Sequence, residues 1–405
     1  MSQDARAAVE RIFRDEYGRL IASLVRRFGD IDLAEDAAGE ALVTALEKWP
    51  AHGVPPNPGA WLTTTAGNRA IDRLRREKLR DGKHQAAVMI EDDTPHEPTG
   101  VIEDDRLRLI FTCCHPALAP EARIALTLRL LGGLTVAEIA SAFLVQETTM
   151  AQRITRAKGK IKGANIPYRV PEAADLPGRV GAVLAVLLLI FNEGYLSSGD
   201  GDPIREELTG EAIRLARILH ELLPADLEVT GLLAMLLLTE ARRTARVRGG
   251  ELVPLEEQDR GGWDRALIAE GHDLVRACLA ANRPGRYQVL AAINAVHTDA
   301  PTAAATDWSQ VVALYDQLAR IDPSPIVALN RAVAVAELDG PEVALAIVER
   351  LPLEGYHAWH ATRAELLRRL GRSAASREQY DAALAVCDNQ AERAFLLRKR
   401  GQLAG

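Results

Sequence analysis

Five polar or basic side chains recur at three- and four-residue steps, the spacing of one helix face: Thr149, Gln152, Arg153, Arg156 and Lys160. Amide, hydroxyl and guanidinium groups in such a row can hydrogen-bond to the edges of DNA bases. Residues 153–162 hold five basic side chains and no acid, so Lys158, Lys160 and Lys162 can contact phosphate. The predicted chemistry is non-covalent recognition of DNA. The alternative is a helical hairpin whose basic face only meets water.

The surrounding sequence predicts the elements that would present this face. Val136, Ile139, Ala140 and Phe143 follow the i, i+3, i+4, i+7 pattern of a first helix, and residues 144–146 form a turn. The inward stripe of the second helix consists of Met150, Ile154, Ala157 and Ile161. A helix buried on this stripe presents its opposite face to the major groove, as in a helix-turn-helix.

A second basic segment lies at 60–83. Its candidate nucleic-acid contacts are Trp61, Asn68, Arg69, Arg73 and Arg76, with Arg80 further along the same face. Asn57, in the preceding loop, joins them only through the family resemblance given below. An aromatic side chain beside a basic strip suits unstacked bases held along a phosphate track. The alternative is a solvated helix whose arginines pair with Asp72 and Glu77.

Composition restricts the function classes. The net charge is −7, but residues 1–163 hold 23 basic and 23 acidic side chains, whereas residues 164–405 hold 26 and 33. The four cysteines form no metal-like or disulfide-like pattern, so buried thiols in a reducing cytoplasm are expected, with no metal and no cofactor. The apolar run 182–191 is too short to span a bilayer and predicts a buried helix, and no secretory signal is visible. No nucleophile, base and orienting group come together, so no enzyme activity is predicted.

Periodicity predicts an all-α fold. Residues 4–48 are expected to form helices that bury Phe13, Tyr17 and Leu20, with Ile21 and Leu24 on the same face. Asp32 is a candidate N-cap with Glu35 three residues later, and the proline-rich residues 50–59 are expected to break the helix.

From about residue 307 the chain repeats itself. Glycine-containing triplets at 338–340, 370–372 and 400–402 punctuate helical stretches at spacings of 32 and 30 residues. A period near 34 with alanine-rich helix pairs is typical of tetratricopeptide repeats. We predict domains at 1–84, 106–165, 166–300 and 301–405, with a linker at 85–105.

Three segments together resemble a known family. DLAEDAAGEALVTALEKWP, AWLTTTAGNRAIDRLRRE and LTVAEIASAFLVQETTMAQRITRAKGKI resemble, in order and spacing, the extracytoplasmic-function sigma factors of bacterial RNA polymerase. LIFNEGY, PIVALNRAVAVAELDGP and RAELLRRLGR resemble the branch with a long C-terminal helical extension ending in tetratricopeptide-like repeats.

The resemblance implies roles for these segments. The helix with Asp36 and Glu40 would dock on the polymerase, loop 50–59 and the helix from Trp61 would contact the −10 element, and residues 147–160 would read the −35 element. Core RNA polymerase and promoter DNA are the expected partners, with a regulatory protein on the repeats. Gly39 and Ala151 depart from the residues of many relatives, Gln and Lys respectively, which puts individual contacts in doubt.

Two alternatives remain at the level of sequence. One is a helix-turn-helix regulator with a helical-repeat sensor, which would not need the segments at 33–76, and the other is a repeat scaffold without a role in transcription. Residues 192–195 (NEGY) and 258–260 (QDR) are polar clusters beside apolar helices. They are interpreted as buried caps and salt bridges, with a ligand site or an interdomain site as the alternative.

Overall fold

The computed structural model describes residues 3–81, 105–143, 145–172, 174–195, 205–248, 251–387 and 389–403. Within these residues the chain forms nineteen α-helices, three short 3₁₀ turns and one hairpin of two-residue strands, Val247–Arg248 and Glu251–Leu252. The prediction of an all-α fold is confirmed. The chain divides into two compact units, residues 1–187 and 188–405.

The first unit is built from short helices that pack in sequence order. Its helices are α1 (Gln3–Phe28), α2 (Ile31–His52), α3 (Pro58–Asp81), α4 (Asp105–Cys113), α5 (Pro120–Leu130), α6 (Val136–Ala142), α7 (Glu147–Gly163) and α8 (Leu176–Tyr195), which continues into the second unit. Helices α1, α2 and α3 pack against one another, and α5 packs against α6 and α7. The predicted core face of α1 is confirmed, since Phe13, Tyr17, Leu20, Ile21 and Leu24 are all buried.

The predicted N-cap of α2 is wrong, whereas the predicted break within residues 50–59 is confirmed at residues 53–57. The N-cap is Asp30, not Asp32, because Asp30 has extended backbone and its carboxylate accepts hydrogen bonds from the amides of Asp32 and Leu33. The helix also continues through Pro50 to His52. A proline this close to the C-terminus removes only one hydrogen bond of the helix. Gly53, with φ 83°, ends the helix by donating to the Trp49 carbonyl at 2.8 Å.

Several predictions concern residues outside the ranges that the structure describes. The predicted linker 85–105 lies outside the described residues except for Asp105, which begins α4. The same holds for Leu144 in the helix-turn-helix turn and for the side chain of Arg80.

A salt bridge of 3.0 Å between Arg26 and Asp105 holds α4 to α1.

The second unit is also helical. Its helices are α9 (Glu206–Leu222), α10 (Leu227–Glu240), α11 (Arg243–Arg246), α12 (Arg265–Ala281), α13 (Arg286–Asp299), α14 (Trp308–Ile321), α15 (Pro325–Leu338), α16 (Pro341–Val348), α17 (His357–Arg369), α18 (Ser373–Val386) and α19 (Gln390–Gly401). Helix α10 is buried from Val229 to Leu238 and packs against α9, α12 and α13, so it forms the centre of this part of the unit. From α14 to α19 each helix packs against the next.

The repeated glycine triplets coincide with helix ends. Gly340 and Gly371 have φ values of 94° and 73°, and follow α15 and α17 directly or within one residue. Glycine adopts this left-handed conformation without the steric cost that a Cβ would impose. Gly401 is instead the last residue of α19. The spacing read from the sequence therefore marks the ends of every second helix, α15, α17 and α19.

Helix α8 is longer than the apolar run that predicted it. It contains 20 residues and could cross a membrane by length and composition, a test that buried core helices also pass. In its most apolar window 39% of the residues are buried. Ile190 and Phe191 are buried, whereas Leu189 is exposed, so the expected buried helix is only partly buried.

Replacing Gly231 tests how tightly α10 packs against α13. A Cβ at Gly231 would lie 2.5 Å from the backbone nitrogen of Gln288. Gly231→Ala is expected to lower the free energy of unfolding by about 1–3 kcal/mol, because the two backbones must move apart. The measurement is urea denaturation followed by far-UV circular dichroism.

The matched control is Gly210→Ala in the exposed part of α9, where a Cβ would meet no atom within 4 Å. Alanine there should stabilise the helix by about 0.5–1 kcal/mol. Equal effects of the two substitutions would contradict the close approach of α10 and α13.

Candidate nucleic-acid interface

The helix-turn-helix begins with a reciprocal cap. The Thr135 hydroxyl accepts a hydrogen bond from the Glu138 amide at 3.1 Å, and the Glu138 carboxylate accepts one from the Thr135 amide at 2.6 Å. This capping box fixes the start of α6. The sequence analysis missed it, although Thr-x-x-Glu before an apolar run is its recognised signature.

Helix α7 has the two faces that its sequence predicts. The stripe of Met150, Ile154, Ala157 and Ile161 is buried, which confirms the inward face. On the other side Thr149, Gln152, Arg156 and Lys160 are exposed, whereas Arg153 is half-buried. The Arg156 guanidinium lies 3.4 Å from the Gln152 side-chain oxygen, close enough to orient both groups. Four of the five candidate base-reading side chains therefore face solvent together.

Two lysines of α7 have acidic partners on α2 and in the turn before it. Lys158, whose side chain is only 16% exposed, forms an ion pair with Asp32 at 2.7 Å and a second with Glu35. Burial alone lowers the pKa of Lys158, but the hydrogen bonds to these two carboxylates raise it overall. Lys162 lies 3.6 Å from Asp30. The phosphate contacts suggested for Lys158 and Lys162 therefore compete with carboxylates in this arrangement.

The Glu35 carboxylate joins three helices. Its side chain is 7% exposed, and besides Lys158 of α7 it accepts a hydrogen bond of 2.6 Å from the Arg129 guanidinium of α5. Arg129 also donates to the Leu134 carbonyl at 2.9 Å. The sequence analysis placed Glu35 in a local cap of α2. No local pattern marks a carboxylate whose partners lie about a hundred residues further along the chain.

Close contacts at two glycines and one tyrosine hydroxyl join the same part of the unit. A Cβ at Gly18 of α1 would lie 2.9 Å from the Leu131 carbonyl oxygen, and one at Gly133, whose φ is 70°, would lie 3.3 Å from the Tyr17 side chain. The Tyr168 hydroxyl lies within hydrogen-bonding distance of the Ala22 carbonyl, at 2.8 Å. The first three helices and the helix-turn-helix thus form one compact unit.

The segment from Asn57 to Arg76 carries the second candidate contact set. Asn57 caps α3, since its side-chain oxygen accepts the Ala60 amide at 3.0 Å. Trp61 is half-buried and meets Trp49 edge-on at 5.3 Å between ring centroids. Further along α3, Asn68, Arg69 and Arg76 are exposed and Arg73 is half-buried, as shown by their accessible surfaces.

Acidic and basic candidates lie opposite each other on α2 and α3. Asp36 forms an ion pair with Arg73 at 2.6 Å, and Glu40 lies 3.8 Å from Arg69. All four side chains are between 40% and 49% exposed. Ion pairs this exposed contribute about 0–1 kcal/mol each, so other charged partners can replace them at small cost.

Two known protein families match the part of the chain that carries these contacts. Residues 12–80 match sigma-70 region 2, and residues 108–161 match sigma-70 region 4. The chain belongs to the sigma-70 family. Sigma factors act in transcription initiation with core RNA polymerase and promoter DNA as partners, and the family does not consist of enzymes. The helix-turn-helix described above lies within region 4.

The part beyond region 4 has relatives of unknown role. Residues 179–279 of the sigma factor match a family of unknown function, DUF6596. An uncharacterized protein of Rhizobium meliloti is 42% identical over 393 residues, which cover 95% of this chain and 93% of the relative. No solved structure matches the chain. An alignment over 95% of the chain includes most of the extension.

The two polar clusters of the extension, residues 192–195 and 258–260, have different structural surroundings. Asp259 caps a 3₁₀ turn by accepting the Gly261 amide at 2.9 Å, and the buried Arg260 donates to the carbonyl oxygens of His297 and Ala300. These contacts confirm the interpretation as caps for that pair. Tyr195 and Gln258 instead line a cavity, described below. The four cysteines are buried and unpaired, as expected.

Replacing Glu35 tests the junction between α2, α5 and α7. Glu35→Ala should lower the free energy of unfolding by about 3 kcal/mol, because it leaves the charges of Arg129 and Lys158 without their buried partner. Urea denaturation followed by far-UV circular dichroism measures the change.

The matched control is Glu40→Ala on the same helix, which removes an exposed partner of Arg69. That substitution should cost less than about 1 kcal/mol. If the two variants lose the same stability, Glu35 does not hold the junction.

Proposed function

We propose that the protein binds core RNA polymerase and directs initiation at specific promoters, with α7 reading the −35 element. The observation that carries this proposal is the exposed row of Thr149, Gln152, Arg156 and Lys160 on a helix whose opposite face is buried. Amide and guanidinium groups on such a row can reach base edges in the major groove. Arg153, at the border of the row, belongs to the same contact set.

Region 2 supplies the second DNA contact in this proposal. Asn68, Arg69 and Arg76 face solvent along α3, and Arg73 and Trp61 lie beside them. These side chains, with the loop that ends at Asn57, would hold the −10 element, where bases unstacked from the duplex can lie against the protein. Stacking and backbone contacts contribute on the order of 1–3 kcal/mol per base.

The acidic side chains of α2 would contact the polymerase. Asp36 and Glu40 now face Arg73 and Arg69, and these exposed pairs stabilise the free protein little. Binding would transfer the carboxylates to basic groups of the polymerase and leave the arginines for DNA phosphate. Complementary charge on the two surfaces favours encounter and register.

Promoter binding would require the junction at Glu35 to open. A protein that contacts two elements separated along DNA must hold its two reading modules apart, whereas Glu35 and Lys158 here hold α2 against α7. Residues 82–104 join the modules, and 23 residues fully extended reach about 75 Å. Two modest sites on one chain then gain affinity through effective concentration.

The extension would support or regulate this activity. We expect residues 164–405 to act on the sigma modules or the polymerase, and the helices from α14 to α19 to form tetratricopeptide-like repeats that bind a regulatory protein. The division into domains at 1–84, 106–165, 166–300 and 301–405, and action in the cytoplasm, are part of the same proposal. Each packed pair of helices exposes surface for a partner, as in helical-repeat arrays.

The first test measures promoter-specific transcription by core polymerase supplied with the protein. Gln152→Ala should lower transcription from a promoter with its native −35 sequence by about 10-fold, because a base contact contributes about 1–3 kcal/mol of discrimination. On a promoter with a scrambled −35 sequence, Gln152→Ala should have little effect.

The control is Arg169→Ala, which removes an exposed charge beyond α7 that pairs with Glu172. It should transcribe both promoters like the unaltered protein. Equal losses for Gln152→Ala on native and scrambled promoters would contradict base reading, and core polymerase that stays promoter-blind with the unaltered protein would contradict the sigma function.

The second test removes the extension without damaging the first unit. A cut after Lys162 would delete Tyr168, which contacts Ala22, and Arg179, which donates to the Phe111 carbonyl at 2.6 Å. A chain ending at Tyr195 keeps both contacts and the whole of α8. We expect this shorter chain to remain folded and to lose promoter-specific transcription in the same assay. Normal transcription from its promoters would contradict a role for the extension.

A further inference from the structure

The second unit encloses a cavity of about 570 Å³. One wall comes from Tyr195, α11 and the segment up to Gln258, and the other from α15, α17 and α19. Leu252, Val253 and Phe395 are among the apolar side chains that line it. The volume and the mainly apolar lining are those of a site for a small organic molecule.

Two arginines supply the cavity's positive charge. Arg242 donates to the side-chain oxygen of Asn294 at 2.8 Å, and Arg246 lies over the ring of Tyr195, 3.8 Å from its centroid. The Nε atoms of both arginines and the side-chain oxygen of Gln258 are shut off from solvent and have no hydrogen-bond partner among the described residues. All three residues line the cavity. Because solvent does not reach these three atoms, a ligand in the cavity would contact the terminal nitrogens of the two guanidinium groups instead.

Neither arginine has a carboxylate partner within the described parts of the chain, whereas their neighbour does. Arg243, between them, forms ion pairs with Glu240 and Glu206. Burial lowers the pKa of Arg242, because the charged form loses hydration that no acid replaces. Arg242 and Arg246 are both half-buried. Partial removal of an arginine from water without a counter-charge costs free energy, which an anion in the cavity would recover.

A third arginine adds to the positive field. Arg260 is buried and donates hydrogen bonds to the backbone carbonyl oxygens of His297 and Ala300. Burial, followed by the charges of Arg242 and Arg260, lowers the pKa of His297 to about 4. At neutral pH this histidine is therefore uncharged, and the cluster keeps three arginine charges.

Four glutamates line the cavity: the exposed Glu256 on the wall of the two arginines, and Glu337, Glu365 and Glu392 on the opposite wall. Those on the opposite wall have partners, and Glu365 pairs with Arg368. Glu337 pairs with Arg369 at 2.5 Å, and Glu392 pairs with His357 at 3.2 Å. The ligand atoms of His357, Glu392 and Cys387 lie within 4.8 Å of one another, but the ion pair accounts for the first two. These groups therefore do not neutralise Arg242 and Arg246.

We propose that this cavity binds a small organic anion, with its carboxylate or phosphate group against Arg242 and Arg246 and its apolar part against Leu252 and Phe395. Charge-assisted hydrogen bonds to guanidinium groups are strong and directional, and suit both kinds of anion. The site goes beyond promoter recognition: it gives the extension a ligand of its own. Its binding is measurable whether or not the chain acts in transcription.

The test uses the full-length chain and four compounds with one eight-carbon tail: octanoate, octyl phosphate, octanol and octylamine. Isothermal titration calorimetry should give saturable binding for at least one of the two anions, and at least about 10-fold weaker binding for octanol and octylamine. The stronger anion distinguishes a carboxylate ligand from a phosphate ligand. Inorganic phosphate alone should bind more weakly than octyl phosphate, since it lacks the apolar part.

Variants place the binding in the cavity. Arg246→Gln should weaken binding of the preferred anion by about 10-fold or more, and Arg246→Lys should weaken it less because the charge remains. Arg242→Gln should act like Arg246→Gln, with far-UV circular dichroism checking that loss of the Asn294 contact leaves the fold intact. The matched control is Arg217→Gln, which removes a partly exposed ion pair with Glu270 outside the cavity.

Three results would overturn the proposal. The first is the absence of saturable binding for both octanoate and octyl phosphate. The second is equal affinity for octanol and for the anions, which would make the cavity a purely apolar site. The third is unchanged anion affinity in folded Arg246→Gln and Arg242→Gln proteins, which would place the binding elsewhere.

Discussion

The first unit depends on the buried carboxylate of Glu35, held between Arg129 of α5 and Lys158 of α7. A buried carboxylate is tolerated only where cations and hydrogen bonds replace its hydration. Because its two partners come from region 4 and the acid from region 2, the requirement joins the two sigma modules in the free protein. The same pairing occupies Lys158, which the sequence predicts as a phosphate contact. In the proposed function, stability of the free state and availability for promoter binding are therefore opposed at one residue.

The second unit shows the opposite electrostatic pattern. There the cations Arg242, Arg246 and Arg260 cluster without carboxylate partners among the described residues, beside a cavity that has apolar walls. In the first unit a buried charge is satisfied within the chain, and in the second the proposed small anion would supply the partner. Binding of the proposed anion would stabilise one arrangement of the extension over others. The sigma factor would then respond to the concentration of that anion.

Much of the fold was predictable because helices bury faces at a fixed period. The stripe Met150, Ile154, Ala157 and Ile161 and the core face of α1 were both identified from spacing alone, and both are buried. The glycine triplets marked helix ends for a similarly local reason. The cap at Asp30 was missed, because several residues near the helix end satisfy the same sequence rule and tertiary packing selects among them.

The sequence by itself determined the all-α fold and the exposed row on α7, because both follow from residue types at short, regular spacings, and its resemblance to known proteins indicated the sigma-70 family. Only the tertiary structure decided the partners of the charged side chains. Lys158 meets Asp32 across 126 residues of chain, and Arg242 and Arg246 meet Tyr195 and Gln258 at one cavity. Coulombic and hydrogen-bond energies depend on distance and burial in the folded state, and neither quantity is encoded in local spacing.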